Sequence, residues 1–89
     1  MDGMAELSTR LNRVQGQVRG LQRMVREDAP CADILTQVAA TRGALRAVAL
    51  ELLARHLRQL VQQARAEGDQ LDTGALTDLE QAIARLART

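Results

Sequence analysis

The chain has 89 residues, with 12 basic and 11 acidic side chains for a net charge of +1, one cysteine and no phenylalanine, tyrosine or tryptophan. That length allows one domain at most, whose core is marginal without further burial; the lone Cys31 excludes an intrachain disulfide, which leaves oligomerisation as the remedy. Without aromatics there is no platform for stacking unpaired bases, so a nucleic-acid partner would be a duplex, held through phosphates and groove shape.

The first predicted helix covers about residues 4–27. Leu7, Leu11, Val14, Val18, Leu21 and Val25 alternate in steps of four and three, an a/d seam held for three heptads. Arg19, Arg23 and Arg26 fall on the opposite face, and Arg10 and Arg13 on the flank of the seam. Gly16 and Gly20 lie four apart on one side. Each costs about 1 kcal/mol relative to alanine in a helix interior, which fits either close approach of another backbone or simple tolerance. Glu27-Asp28-Ala29-Pro30 breaks the pattern, with Asp28 as N-cap and proline where a helix start loses no needed hydrogen bond.

The second predicted helix covers residues 31–66, with Gly43 its only weak point. At ~1.5 Å per residue it is a rod of roughly 50 Å, too long for one neighbour of the first helix's length to cover. Glu67-Gly68-Asp69-Gln70 reads as a turn, and Asp72 or Thr73 caps a third helix over residues 73–88 with a stripe of Leu76, Leu79, Ile83 and Leu86. The expected fold is all-α, three helices in the order short–long–short, in a single domain. No compact helix pair with a tight turn provides a helix-turn-helix reader. No hydrophobic run approaches the ~18 apolar residues of a membrane span. The N-terminus lacks the regions of a signal peptide, and a lone thiol fits a reducing compartment. The expected location is the cytoplasm, without a membrane partner.

All 12 basic residues are arginine. Five of them, Arg10, Arg13, Arg19, Arg23 and Arg26, sit in the first helix, with almost no acids to pair with them before Glu27. Arg42 and Arg46 add an i, i+4 pair on the second helix, and Arg55 and Arg58 flank His56. The acids collect later, at Glu67, Asp69, Asp72, Asp78 and Glu80. Such a stripe is ordinarily a solvated face laced with i, i+4 salt bridges. The imbalance between the two ends of the chain points instead to a polyanion, with duplex DNA the candidate. A structural helical oligomer with no DNA role is the competing class; salt-dependent DNA binding separates the two.

Cys31 falls in the first turn of the second helix, where free N–H groups and the helix dipole favour negative charge. Its ordinary role would be a small buried hydrophobe. His56 is in phase with the apolar face of the same helix, where a histidine is ordinarily a hydrogen-bonded core residue. The two are 25 residues apart, about 37 Å along one helix, and cannot meet within a subunit. If two long helices pack antiparallel, Cys31 of one lies beside His56 of the other, and a two-fold pair carries two such sites. Cysteine and histidine suit soft or borderline ions such as Cu(I), Zn or Ni. Leu60, one turn past His56, cannot ligate; Met4 is a possible further donor, and Met24 fits gap-filling packing better. The same pair also suits electrophile capture or oxidation. No oxyanion-hole signature and no third orienting group suggest hydrolysis, so no enzyme activity is expected.

The run Arg10-Leu11-Asn12-Arg13-Val14-Gln15-Gly16-Gln17-Val18-Arg19-Gly20-Leu21-Gln22-Arg23-Met24-Val25, then Cys31-Ala32-Asp33-Ile34-Leu35-Thr36-Gln37-Val38-Ala39-Ala40, then Glu51 to Leu57, resembles the copper-sensitive-operon repressor family (CsoR/RcnR/FrmR type), over roughly residues 7–86. The resemblance implies a cytoplasmic repressor whose three-helix subunits form an antiparallel four-helix-bundle dimer and then a disc-shaped tetramer. It implies binding of duplex operator DNA through basic helix faces, with release when an inducer occupies an inter-subunit site. Cys31 and His56 fall on that site and Arg10 on a basic position linked to DNA; the other arginines expected to contact DNA are Arg13, Arg19, Arg42 and Arg46.

The departures bear on the inducer. Copper-sensing members carry a second cysteine where Leu60 stands, a tyrosine at Pro30 and a glutamate at Asp78; nickel and cobalt sensors use an N-terminal histidine, absent here. Sulfur sensors need two cysteines. The formaldehyde-sensing branch lacks the second cysteine but crosslinks to an N-terminal proline, where this chain has Asp2. The leading expectation is formaldehyde or another thiol-reactive signal. The alternative is a transition metal, Cu(I), Ni, Co or Zn, on Cys31 and His56.

Overall fold

A computed structural model describes residues 3–68 and 72–88. They form three α-helices, α1 (Gly3–Arg26), α2 (Cys31–Ala66) and α3 (Thr73–Ala87), with no strand among the described residues. None of these helices is long and apolar enough to cross a membrane. The chain divides into two compact units, one ending at Arg55 and one beginning at His56; α2 runs through both.

The link between α1 and α2 departs from the sequence expectation. Asp28 has φ 55, the left-handed region, which an N-cap does not use. Its N–H donates to the Val25 carbonyl (3.2 Å) and the Ala29 N–H to the Met24 carbonyl (2.9 Å). This pair of reversed bonds closes the C-terminus of α1 in a Schellman arrangement, at the position glycine usually takes and aspartate tolerates. The carbonyl of Pro30 accepts the first helical bonds of α2, from Asp33 (3.0 Å) and Ile34 (3.1 Å). Asp28 therefore ends one helix rather than starting the next.

In the first unit, Leu7 and Val14 of α1 and Thr41 and Val48 of α2 are buried. The half-buried positions extend these into two stripes in steps of three and four: Gly3, Arg10, Gln17, Leu21 and Met24 on α1, and Ile34, Gln37 and Ala44 on α2. The predicted seam is thus split. Leu7, Val14 and Leu21 turn toward the chain's own α2. Leu11, Val18 and Val25 stay 43%, 43% and 63% exposed, and Leu35, Val38, Leu45 and Leu52 of α2 are exposed as well. Val18, Leu21 and Val25 line an open apolar groove with Ile34 and Val38. The hairpin contact itself is small or polar at many positions, and the Thr41 hydroxyl satisfies itself by donating to the Gln37 carbonyl (2.9 Å).

In the second unit, Leu60 and Ala64 of α2 are buried, and Ala75, Leu76, Leu79 and Leu86 of α3 are half-buried. Ile83, the fourth member of the predicted stripe, is 40% exposed. Asp72 is the N-cap of α3: its carboxylate accepts the N–H of Ala75 at 3.0 Å, satisfying one of the helix's free donors. At the end of α2 the Glu67 N–H donates to the carbonyls of Gln63 and Ala64. Gly68 follows with φ 84, a conformation glycine adopts without a Cβ clash. Asp69 and Gln70, the rest of the expected turn, lie outside the described residues.

Candidate functional site

Cys31 is the first residue of α2, and its thiol is free and exposed. It is not the small buried hydrophobe that an isolated cysteine often becomes. Asp33 shares the first turn and opposes the accumulation of negative charge there.

His56 is also exposed. No hydrogen bond to its ring forms among the described residues, so it is not a satisfied core histidine. It lines a small groove with Ala75, Asp78, Leu79 and Ala82 of α3. A carboxylate beside an imidazole is the usual means of fixing which ring nitrogen carries the proton and which is left to ligate. Sequence alone does not connect Asp78 to His56, because 22 residues and a turn separate them.

Leu60, at the position of the missing third donor, is 7% exposed and belongs to the core of the second unit. The position one turn past His56 is spent on packing. Of the two methionines considered as donors, Met24 is half-buried in the α1–α2 contact, in keeping with a packing role, and Met4 is 48% exposed. Asp2 lies outside the described residues. No group of three or more histidine, cysteine, aspartate or glutamate side chains able to hold a metal ion forms among the described residues.

The arginines separate into classes. Arg10 is partly buried, its side chain 37% exposed, and sits 3.5 Å from Glu6 in an i, i+4 ion pair. Glu6 is the acid of the first helix that the charge pattern leaves out of account; its four-residue spacing from Arg10 is the available signal. Arg13, Arg19, Arg23 and Arg26 are exposed and make no ion pair among the described residues. Arg13, on the flank of the seam, and Arg23, on the face opposite the seam, both line one open groove. Arg42 and Arg46 are exposed on α2. The solvated-face reading requires a lattice of salt bridges, and α1 has one among the described residues.

The chain thus combines three helices, an exposed cysteine opening the long helix, an exposed histidine further along, and four arginines on α1 without an ion pair among the described residues. The chain matches the family described as metal-sensitive transcriptional repressors over residues 4–88 and belongs to it. It is a member of a family of repressors, not of enzymes.

The chain is 52% identical over 80 residues to the copper-sensing transcriptional repressor RicR of Mycobacterium tuberculosis, an overlap of 90% of this chain and 83% of that protein. It is 45% identical over 64 residues to the copper-sensing transcriptional repressor CsoR of Bacillus subtilis, covering 72% of this chain and 63% of that one. Its fold is similar to that of the copper-sensing repressor CsoR with Cu(I) from Geobacillus thermodenitrificans (TM-score 0.83, 39% identity, 96% of this chain and 86% of the other). It is similar to about the same degree to the nickel-responsive transcriptional regulator InrS (TM-score 0.81, 39% identity, 96% and 93%).

Proposed function

We propose that this metal-sensitive repressor responds to Cu(I), bound by Cys31 of one subunit and His56 of the partner subunit. The observation that carries this is the pairing of two exposed, soft or borderline donors on one helix, 25 residues apart, with no complete ligand group among the described residues of one chain. An antiparallel pairing of two α2 helices completes the site twice. The names of the relatives support a metal over formaldehyde or another thiol-reactive signal, the reading that leads on sequence. The donor set supports copper within the metals: a thiolate and an imidazole, with buried Leu60 adding nothing, suit a soft ion that accepts few ligands, whereas Ni(II), Co and Zn want four or more.

The assembly follows from unpartnered surface. Each exposed leucine or valine on the outer face of α1 and α2 gains on the order of 1 kcal/mol if the rest of its surface is covered. A second copy presenting the same face covers it in a four-helix bundle, and two bundles form the tetramer. The 89 residues act as one cytoplasmic repressor domain. Arg10, Arg13, Arg19, Arg42 and Arg46 contact operator DNA, and Cu(I) favours a subunit arrangement with poor operator affinity. A coupling free energy of about 1–3 kcal/mol suffices.

The test is anaerobic titration of the protein–operator complex with Cu(I), Ni(II), Zn(II) and formaldehyde in parallel. Cu(I) is expected to release the wild-type protein near one equivalent per Cys31, and Cys31→Ala protein to stay bound at the same concentrations. Release by formaldehyde alone, or unchanged release of the Cys31→Ala protein by Cu(I), would overturn the reading.

A further inference from the structure

On the first unit, α1 carries an open groove of about 580 Å³ with Arg13 at one end, Arg23 toward the other, and Gly16, Gln17 and Gly20 between them. Neither glycine is needed by the fold of the subunit. A Cβ built on Gly20 would meet nothing within 4 Å, and one on Gly16 only the flexible end of Arg19, at 4.0 Å. Each nonetheless carries the helix-interior cost of glycine. Gln17 is not engaged either: its Oε1 is shut off from solvent without a hydrogen-bond partner. The groove, lined also by Met24 and by Gln37 of α2, therefore exposes backbone at Gly16 and Gly20 between two arginines that make no ion pair among the described residues.

Two occupants fit bare helix backbone: another helix or a sugar–phosphate backbone. The charges discriminate between them. In a two-fold contact centred between Gly16 and Gly20, antiparallel helices set Arg13 against Arg23 of the partner subunit, and parallel helices set each arginine against its own copy. Both arrangements bring like charges together at a close crossing. A polyanion is attracted by the same pair.

We propose that this groove receives the phosphate backbone of duplex DNA, with Arg13 and Arg23 as clamps and Gly16 and Gly20 admitting the strand against the helix. The proposal rests on the reading of the chain as an operator-binding repressor and adds Arg23 and both glycines to the DNA surface. Arg13 and Arg23 are about 15 Å apart along the helix axis, far enough to reach separate phosphates of one strand. Glu27, the one acid lining the groove, marks where the strand leaves.

The experiment measures binding of full-length Gly20→Leu, Arg23→Ala and Arg85→Ala proteins to a short duplex from the region upstream of the gene, across a series of salt concentrations. Circular dichroism and light scattering of each protein are recorded beside it. Leucine at position 20 fills the groove while favouring the helix, so its fold is retained. Gly20→Leu and Arg23→Ala are each expected to weaken binding about tenfold or more. Arg23→Ala is also expected to lower the magnitude of the log–log salt slope by about one for each phosphate that the arginine no longer neutralises. Arg85→Ala, on α3 and outside the groove, controls for net charge and is expected to change affinity less than about twofold.

If wild-type protein binds with a steep salt dependence while Gly20→Leu and Arg23→Ala bind as tightly, the groove is overturned and the repressor reading stands. If Gly20→Leu changes the oligomeric state, the groove is a subunit contact and the proposal fails. Absence of salt-dependent binding by the wild-type protein overturns both.

Discussion

The two halves of α2 solve different problems. Around Cys31 the first unit is open: the thiol is exposed, the neighbouring leucines and valines face outward, and α1 offers an unfilled cationic groove. Beyond His56 the second unit is closed on one side, with Leu60 and Ala64 buried and the imidazole beside Asp78 of α3. One donor thus stands on an open apolar surface, and the other, also exposed, lines a groove with the chain's own third helix. Under the proposed function, a site assembled from one of each would sense the arrangement of subunits.

The largest effect is expected at the open end. Val18→Asp puts a charge on the outer apolar face, where covering it in an assembly costs several kcal/mol. Sedimentation is expected to show dissociation to monomers, with loss of metal binding although Cys31 and His56 are untouched. Retention of the full assembly would mean that this face is not the subunit contact. Cys31→Ser is the next largest, removing the soft donor; competition titration should show at least about a 100-fold loss of Cu(I) affinity, on the order of 3 kcal/mol.

The closed end sharpens the comparison. Leu60→Ala, at a buried site, should lower the unfolding free energy by about 2–4 kcal/mol in denaturant melts. Leu60→Cys retains more of the volume and supplies a third donor, so it should raise Cu(I) affinity more than tenfold while costing less stability; no gain in affinity would mean that position 60 does not face the metal. Asp78→Asn is expected to weaken Cu(I) binding about 10-fold or more if the carboxylate orients His56. The smallest effect lies in the link: Asp28→Gly relieves a left-handed non-glycine residue and should stabilise the fold by about 0.5–1 kcal/mol, without change in metal or DNA affinity.

Much of the site is legible in the sequence, but unevenly. The spacing of Cys31 and His56 by itself excludes a site within one helix, and Leu60 visibly breaks the copper pattern. The arginine stripe is legible as charge, yet two details are not. Glu6 ties up Arg10 through an ordinary i, i+4 pair that a count of acids near the arginines passes over. Arg23 shares a groove with Arg13 because side chains several turns apart on α1 border the same open space, which the charge pattern does not show. The association of Asp78 with His56 depends on how α3 docks, and no local pattern encodes that.

Period, proline, glycine and the Asp72 cap act through local hydrogen bonding and sterics, so three helices, with no strand among the described residues, are legible from the residues alone. The shortness of the chain likewise makes its core small. Which edge of the α1 seam the chain keeps for itself is settled by the packing of α1 on α2. Leu7, Val14 and Leu21 lie along one edge of the seam and Leu11, Val18 and Val25 along the other, so the choice between them belongs to the partner surface. The small and polar stripe of Gln37, Thr41 and Ala44 on α2 takes Leu7, Val14 and Leu21, and leaves Leu11, Val18 and Val25 exposed.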